Sequence, residues 1–235
     1  SKSYAENAIR LLSDKSLDLA VVGGVPKILN SSYKFQAFIC AEIMRRQYIF
    51  FFPRHRNPKY SGFSSSVYLG CFRTDLLQNI RFSDNKKLLS EDSLIINEFL
   101  ERGFKVFLSS NINISYVCRD SLLNIIKLFN TYGYCRINTI ITSRKLFISK
   151  RHFYVFIIVS FLSFMLIKYS FLYLFFLILI LFVFNLFNEI FFLRKNFNVY
   201  MPFYATLCQF SWIFGFVWGL LGNLRRKKIQ SNFIS

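Results

Sequence analysis

The chain has 235 residues, of which 54% are hydrophobic, and it carries a formal net charge of +18 at pH 7. Such an apolar composition, with 31 phenylalanines, excludes an intrinsically disordered chain. The charge fits a protein that lies against anionic lipid and binds anionic donors. Because the sequence contains no nucleic-acid-binding motif, we expect no nucleic acid among its partners.

The cysteines are odd in number, widely spaced and without a Cys-x-x-Cys pair: Cys40, Cys71, Cys118, Cys135 and Cys208. This pattern indicates reduced thiols in a domain that faces the cytosol, rather than a disulfide framework. The two histidines, His55 and His152, are too few and too far apart for a zinc site or a catalytic triad.

The chain begins with alternating helix and strand patterns. Ser3 and Glu6 form a capping box for a helix that ends near Leu12. Residues 17–22 have the composition of a strand closed by Gly23-Gly24, and residues 34–47 have the apolar spacing of an amphipathic helix. We expect the apolar side of that helix to contain Phe35, Phe38, Ile39 and Ile43.

A basic loop with two prolines spans residues 53–62. One interpretation is a solvated surface loop, and the other is a mobile loop that contacts a diphosphate or lipid phosphate through its Arg and Lys side chains. Residues 67–73 then predict a strand, followed by a helix over residues 74–80. Within this strand, Gly70 permits either close approach of a ligand to the backbone or tight packing.

A well-delimited helix is predicted after Ser90, which is a natural N-cap. Glu91 and Asp92 fall in its first turn, where the helix dipole favours anions, and Gly103 marks its end. Residues 104–108 then predict a short strand. This places an acidic pair at the mouth of a packed α/β layer, although a favourable helix start explains the same residues.

Asp120 predicts the cap of a long helix that runs to about residue 141 with a broad apolar stripe: Leu122, Ile125, Ile126, Phe129 and Tyr132. The helix is too polar to span a bilayer. A basic cluster at residues 144–151 favours a position at the membrane interface, and an ordinary core-packed helix is the alternative.

Three apolar segments follow, at about residues 152–167, 171–193 and 199–222. The second is long enough to span a membrane, and the first is short by about one turn. The third is less apolar, and its Gly215-x-x-x-Gly219 motif permits close contact between helices.

Four features occur in one order: the Glu91-Asp92 pair, the helix end at Gly103-Phe104, Tyr-x-x-Arg-x-Ser at residues 116–121 and Tyr-Gly-x-x-Arg at residues 132–136. With the apolar C-terminal third, this order resembles the C-terminal half of the membrane-anchored family 2 glycosyltransferases of the exopolysaccharide and succinoglycan-synthesis type. The resemblance covers roughly residues 1–222. It implies an α/β fold, namely the C-terminal half of a GT-A, Rossmann-like glycosyltransferase domain, followed by an α-helical membrane region.

The resemblance also implies roles for particular residues. Asp92 would be the general base of an inverting sugar transfer, supported by Glu91. Arg119 and Arg136 match arginine positions of the family and would contact donor or lipid phosphates. The remaining substrate-binding positions are glycines: Gly23, Gly24 and Gly70.

In this family an Asp-x-Asp motif holds a divalent metal, Mg or Mn, together with the nucleotide diphosphate. No Asp-x-Asp occurs in this sequence. We therefore expect no metal ligands in this chain and expect the nucleotide-binding half to lie before residue 1.

The predicted organisation has four parts: an acceptor-side half of a GT-A domain at 1–118, an amphipathic interfacial helix and basic linker at 119–151, three apolar membrane segments at 152–224 and a basic tail at 225–235. We expect a bacterial multi-pass protein of the inner (plasma) membrane with its catalytic part in the cytoplasm. It would transfer a sugar from a nucleotide-sugar donor to a lipid-linked glycan acceptor, in contact with membrane lipids. The alternative is a non-catalytic membrane protein, a decayed or truncated transferase that acts as a lipid-binding or assembly subunit.

Overall fold

The structure is a computed structural model and describes residues 2–46, 54–78, 80, 91–143, 172–192 and 198–232. It divides into two compact units, Ser1–Asp120 and Ser121–Ser235. The described helices are α1 (Lys2–Leu12), α2 (Phe35–Arg45), α3 (Thr74–Leu77), α4 (Glu91–Glu101), α5 (Leu122–Ser143), α6 (Leu172–Phe192) and α7 (Tyr200–Asn232). The described strands are β1 (Leu19–Leu29), β2 (Gly62–Phe63), β3 (Tyr68–Phe72) and β4 (Lys105–Val117), and short 3-10 turns lie at Lys15–Leu17 and Arg54–Arg56.

The first unit is built on one mixed sheet with the strand order β2-β4-β1-β3. β1 and β4 are parallel, whereas β3 and β2 pair antiparallel with β1 and β4 respectively. The prediction that the first strand closes at Gly23-Gly24 is wrong, because β1 continues through Pro26 to Leu29. β3 pairs with β1 no further than Gly24, so Pro26 lies where a missing backbone N–H is tolerated.

β4 is also longer than the predicted strand at 104–108, and it contains an irregularity. Gly24 pairs with Ser109, and the next pair is Pro26 with Ile114. One residue of β1 (25) therefore lies opposite four residues of β4 (110–113). Extra residues in one strand of a pair change which face the following side chains occupy. Val106 and Leu108 accordingly belong to one core cluster, and Ile114 belongs to the other.

The two core clusters lie on opposite faces of the sheet, because neighbouring β1 residues Val21 and Val22 belong to different clusters. α1 covers one face through Ala8, which is completely buried. α4 covers the other face through residues that include Ile96 and Phe99. The first unit is therefore a three-layer arrangement of helix, sheet and helix.

α2 confirms the predicted helix, and its predicted apolar side is confirmed in part, because Ile39 and Ile43 are buried. Its buried residues are Ala37, Ile39, Cys40, Ala41, Ile43 and Met44. Phe35 and Phe38 are exposed instead. Three of the buried residues are small, which allows close packing, and the Arg45 guanidinium donates hydrogen bonds to the Ile28 carbonyl at 3.2 and 3.3 Å. These bonds tie the end of the helix to the end of β1 and fix its rotation.

In the second unit, α5 begins at a different cap from the predicted one. Ser121 Oγ accepts a hydrogen bond from the Asn124 backbone N–H at 3.3 Å, so Ser121, rather than Asp120, caps the helix. Within the apolar stripe, Ile125 and Phe129 are buried, while Tyr132 is 39% exposed. The position of α5 relative to a membrane stays a prediction.

α5 and α7 pack backbone against backbone through glycines of both helices. A Cβ built on Gly133 would lie 1.9 Å from the Trp212 carbonyl oxygen, and one built on Gly219 would lie 2.5 Å from Ile137 Cγ2. Ser211 Oγ also donates to the Ile126 carbonyl at 2.8 Å. The prediction of close helix contact at Gly215-x-x-x-Gly219 is confirmed.

α6 and α7 are joined by polar side chains in otherwise apolar surroundings. The Asn185 amide donates to Thr206 Oγ1 at 3.0 Å and exchanges hydrogen bonds with the Gln209 amide at 2.8 and 3.2 Å. Glu189 is fully buried, and its Oε1 accepts a bond from the Asn198 backbone N–H just before α7. These bonds satisfy polar groups that burial would otherwise make costly.

Within the described residues, Tyr200–Asn223 is the one helix long and apolar enough to cross a membrane. α6 contains a shorter apolar stretch, Ile178–Phe191. The segment predicted at 152–167 lies outside the described residues. One candidate span is thus present, and the multi-pass arrangement stays a prediction.

The α/β class is confirmed at the level of mixed helix and strand content, one mixed sheet and a C-terminal apolar helix. Of the three strand pairings described, only that of β1 with β4 is parallel. The finer GT-A, Rossmann-like arrangement implied by the resemblance stays a prediction.

Candidate functional site

The acidic pair lies at the start of α4, as predicted. Glu91 is the first residue of the helix, and Asp92 follows with its side chain exposed. Gly103 has a left-handed φ of +86° just beyond the helix end, which is the conformation that terminates helices and that glycine adopts without strain.

α4 is held firmly on the sheet by its apolar side. Phe99 is completely buried, and its ring centroid lies 6.3 Å from that of Phe72 and 6.4 Å from that of Phe104. The carboxylate of Asp92 is therefore presented to solvent by a helix whose other side is fixed in the core. An exposed acid on a fixed support can meet an external hydroxyl, as a general base must.

The three predicted substrate-binding glycines lie within strands: Gly23 and Gly24 in β1, and Gly70 in β3. A Cβ built on Gly23 would be 1.8 Å from Val67 Cγ2, and one built on Gly70 would be 3.0 Å from Val67 Cγ1. At Gly24, a Cβ would be 2.1 Å from the Ile112 carbonyl oxygen. The structure thus brings Gly23 and Gly70 together around Val67, on the face covered by α4, and gives all three glycines a packing role. Substrate contact at these positions stays a prediction.

Arg119 lies two residues after the end of β4 and is exposed. It follows Cys118, which is 3% exposed and whose backbone N–H donates to the Leu29 carbonyl at the end of β1. Burial raises the pKa of the Cys118 thiol to about 11, against the opposing effect of nearby groups that include the Arg45, Arg56 and Arg119 guanidinium groups. Three positive charges therefore gather around the carboxyl ends of β1 and β4.

Arg56 lies in the predicted basic loop, but its burial is not apparent from the sequence. Its guanidinium lies 5.0 Å from the centre of the Tyr68 ring and 5.6 Å from that of Tyr116, and only 9% of the residue is exposed. The 3-10 turn that carries it is anchored by a 2.8 Å hydrogen bond between His55 Nδ1 and Ser66 Oγ. For Arg56, the interpretation of residues 53–62 as a solvated loop is wrong, because strands β3 and β4 bring two tyrosine rings against it.

Arg136, the second predicted phosphate contact, belongs to the second unit and is half-buried in α5. Its role stays a prediction.

In the part of the chain that the structure describes, no three or more His, Cys, Asp or Glu side chains are grouped so that they could hold a metal ion. These residues thus offer no ligand set for the divalent metal that the resemblance implies.

Comparison with protein-family models and with curated proteins gives no match to this chain. The glycosyltransferase resemblance therefore rests on the ordered motifs between residues 91 and 136.

Proposed function

We propose that the chain belongs to a membrane-associated glycosyltransferase that transfers a sugar from a nucleotide-sugar donor to a lipid-linked saccharide or polysaccharide precursor at the cytoplasmic membrane face. The observation that carries this proposal is Asp92, an exposed carboxylate in the first turn of a helix fixed on a mixed α/β sheet. The candidate span Tyr200–Asn223 and the net charge of +18 support an anionic, membrane-bound acceptor.

In the proposed reaction, the Asp92 carboxylate removes the proton of the acceptor hydroxyl. The hydroxyl oxygen attacks the anomeric carbon from the side opposite the nucleoside diphosphate, which leaves with the electrons of the broken bond, so that the configuration inverts. Glu91, one residue earlier, supports Asp92. Arg119 and Arg136 contact phosphate oxygens of the donor or of the lipid.

A divalent metal, when bound, would neutralise charge on the departing diphosphate. Its ligands, together with the rest of the nucleotide-binding site, would come from residues outside this sequence. In our proposal, the cytoplasmic orientation follows from the donor, because nucleotide sugars are supplied on that side of the membrane, and the multi-pass arrangement follows from the apolar segments predicted at 152–224.

The test is the substitution Asp92→Asn, introduced at the chromosomal gene of the host so that the protein is studied in its natural context. Membranes are incubated with a panel of radiolabelled nucleotide sugars, and label in the organic-extractable lipid fraction is counted at matched protein levels. We expect transfer to fall about 10²- to 10⁴-fold, because an amide cannot accept the proton. Glu91→Gln should have a milder effect.

The matched control is Glu98→Gln, which removes a carboxylate from the same helix. Glu98 pairs with Arg102 at the exposed surface, where such pairs contribute little to stability, so transfer should stay near the wild-type rate. The proposal fails if Asp92→Asn retains full transfer, or if deleting the gene changes the transfer of none of the sugars. The second result would favour the non-catalytic alternative.

A further inference from the structure

Three large aromatic side chains lie exposed where β1 leads into α2. Tyr33 is fully exposed in the turn, and Phe35 and Phe38 are 61% and 40% exposed at the start of the helix. Single exposed apolar residues are normal on a protein surface, but a group of them close together marks a surface that contacts a partner. We call Tyr33, Lys34, Phe35 and Phe38 the aromatic patch.

The local backbone and the packing of α2 hold the aromatic patch outward. The Lys34 backbone N–H donates to Ser32 Oγ at 3.4 Å, and the Lys34 carbonyl accepts a hydrogen bond from the Phe38 N–H at 3.1 Å, which starts the helix. The opposite side of α2 is buried through its small residues, and Arg45 ties the other end of the helix to the Ile28 carbonyl. Turning the helix to bury the rings would break these contacts, so the exposure belongs to the packed fold.

The charge around the aromatic patch is positive. Between Lys27 and Glu42 the sequence contains Lys34 and no acidic residue. Both lysine side chains are exposed, whereas Glu42 is paired with Arg45 and Arg46. Exposed aromatic rings beside lysines are typical of surfaces that lie at a membrane–water interface, because the rings enter among the headgroups while the ammonium groups stay with the lipid phosphates.

The chain itself brings a bilayer within reach of this surface. The candidate span Tyr200–Asn223 belongs to the same chain as the aromatic patch, so a membrane that it crosses is tethered to the first unit. Tethering raises the effective concentration of the membrane surface around the first unit. A few inserted side chains and lysines therefore suffice for docking.

We propose that the first unit docks on an anionic membrane surface through the aromatic patch. Tyr33, Phe35 and Phe38 insert among the lipid headgroups, and Lys34 and Lys27 lie beside lipid phosphates. The inference does not rest on sugar transfer, and it is tested without donor or acceptor. The competing occupant is a protein surface, such as a second copy of this chain, and the test separates it from lipid.

The test is fluorescence quenching of one tryptophan in the full chain. Tyr33→Trp is combined with Trp212→Phe and Trp218→Phe, which remove the two tryptophans of the sequence. The protein is reconstituted in vesicles of phosphatidylcholine and phosphatidylglycerol that carry nitroxide-labelled headgroups in both leaflets. We expect the tryptophan at position 33 to be strongly quenched by the nitroxides and shielded from acrylamide in the aqueous phase.

The matched control is Phe63→Trp in the same tryptophan-free background. Phe63 is also exposed, but it pairs with Phe107 near the start of β4, whereas the aromatic patch follows the end of β1. A tryptophan there should be quenched weakly by the nitroxides and freely by acrylamide. Circular dichroism checks that the variants keep the fold, as exposed positions should.

The lysines are tested with the same probe. In the Tyr33→Trp background, Lys34→Gln should weaken docking about fivefold, as for loss of one lysine at an anionic surface. Lys15→Gln removes the same charge from the exposed turn before β1 and should change docking less than about twofold.

Three results would overturn the proposal. The first is nitroxide quenching at position 33 that is no stronger than at position 63. The second is shielding of position 33 from acrylamide without nitroxide quenching, because a protein surface would then cover the patch. The third is an equal effect of Lys34→Gln and Lys15→Gln, because net charge alone would then explain the attraction.

Discussion

Two glycines of α7 provide an internal comparison of helix packing. A Cβ built on Gly215 would lie 2.0 Å from the carbonyl oxygen of Asn130 in α5, whereas one built on Gly222 has no neighbour within 4 Å. Gly215→Ala and Gly222→Ala therefore make the same chemical change, seven positions apart on one helix, in opposite packing environments.

The expected effects differ in sign. Alanine is favoured over glycine in a helix by about 1 kcal/mol, so Gly222→Ala should stabilise the second unit by up to about that amount. At Gly215 the helices must separate by about 1.5 Å to restore an ordinary contact distance of about 3.5 Å. Overpacking of this kind typically costs about 1–3 kcal/mol, even though the alanine preference offsets part of it.

The assay follows the alkylation of Cys135 and Cys208, which are 2% and 1% exposed and lie on α5 and α7. The full chain in nanodiscs is heated with N-ethylmaleimide, and labelling of each cysteine is resolved by mass spectrometry. We expect the labelling midpoint to fall for Gly215→Ala and to stay level or rise for Gly222→Ala. Equal midpoints for the two variants would refute the close α5–α7 contact.

Three further predictions concern the first unit. Phe99→Ala should lower the free energy of unfolding in urea by about 3–5 kcal/mol, because the ring is completely buried. Phe63→Ala, at a 48% exposed position, should lower it clearly less. Similar losses for the two variants would contradict the assigned core. Leu69 is exposed with a left-handed φ of 47°, so Leu69→Gly should raise the thermal midpoint by relieving about 1 kcal/mol of backbone strain, and Leu69→Ala, which keeps that strain, should not. Burial raises the pKa of Cys40 to about 12 and that of Cys118 to about 11, so both thiols stay protonated in the folded state while the unfolded thiols ionise above about pH 8.5. Unfolding free energy should therefore fall as pH rises from about 8.5 toward 11, and replacing both cysteines with alanine should flatten that decline.

The helices were predictable because their signals are local. The first-turn acids of α4 and the terminator Gly103 lie within a few residues of the helix ends that they specify, and the structure has both where they were expected. The burial of α2 was less predictable. Ile39 and Ile43 are buried as predicted, whereas Phe35 and Phe38 are exposed and small residues pack inward instead.

The strands and the surroundings of Arg56 depend on contacts between distant parts of the chain. Gly23-Gly24 and Pro26 are local signals for a strand end, yet pairing with β4, about eighty residues later, carries β1 through them. Arg56 lies in a sequence with the composition of a solvated loop, and only the pairing of β1 with both β3 and β4 brings Tyr68 and Tyr116 against it. The exposed acid Asp92 was predictable, since a first-turn polar residue needs no distant partner to face solvent.

The pairing of β3 with β1, which extends only as far as Gly24, also bears on aggregation. Beyond Gly24, β1 has no described strand on the β3 side, and a strand edge without a partner can pair with a strand of another molecule. The Arg45 guanidinium already occupies the Ile28 carbonyl on this side. Pro26 removes one of the donors that an added strand would need, and Lys27 places an exposed charge beside it. Substituting both residues with valine would keep the pairing with β4 and remove both obstacles to strand addition. The wild-type edge thus helps to keep a strongly apolar chain from assembling through its sheet.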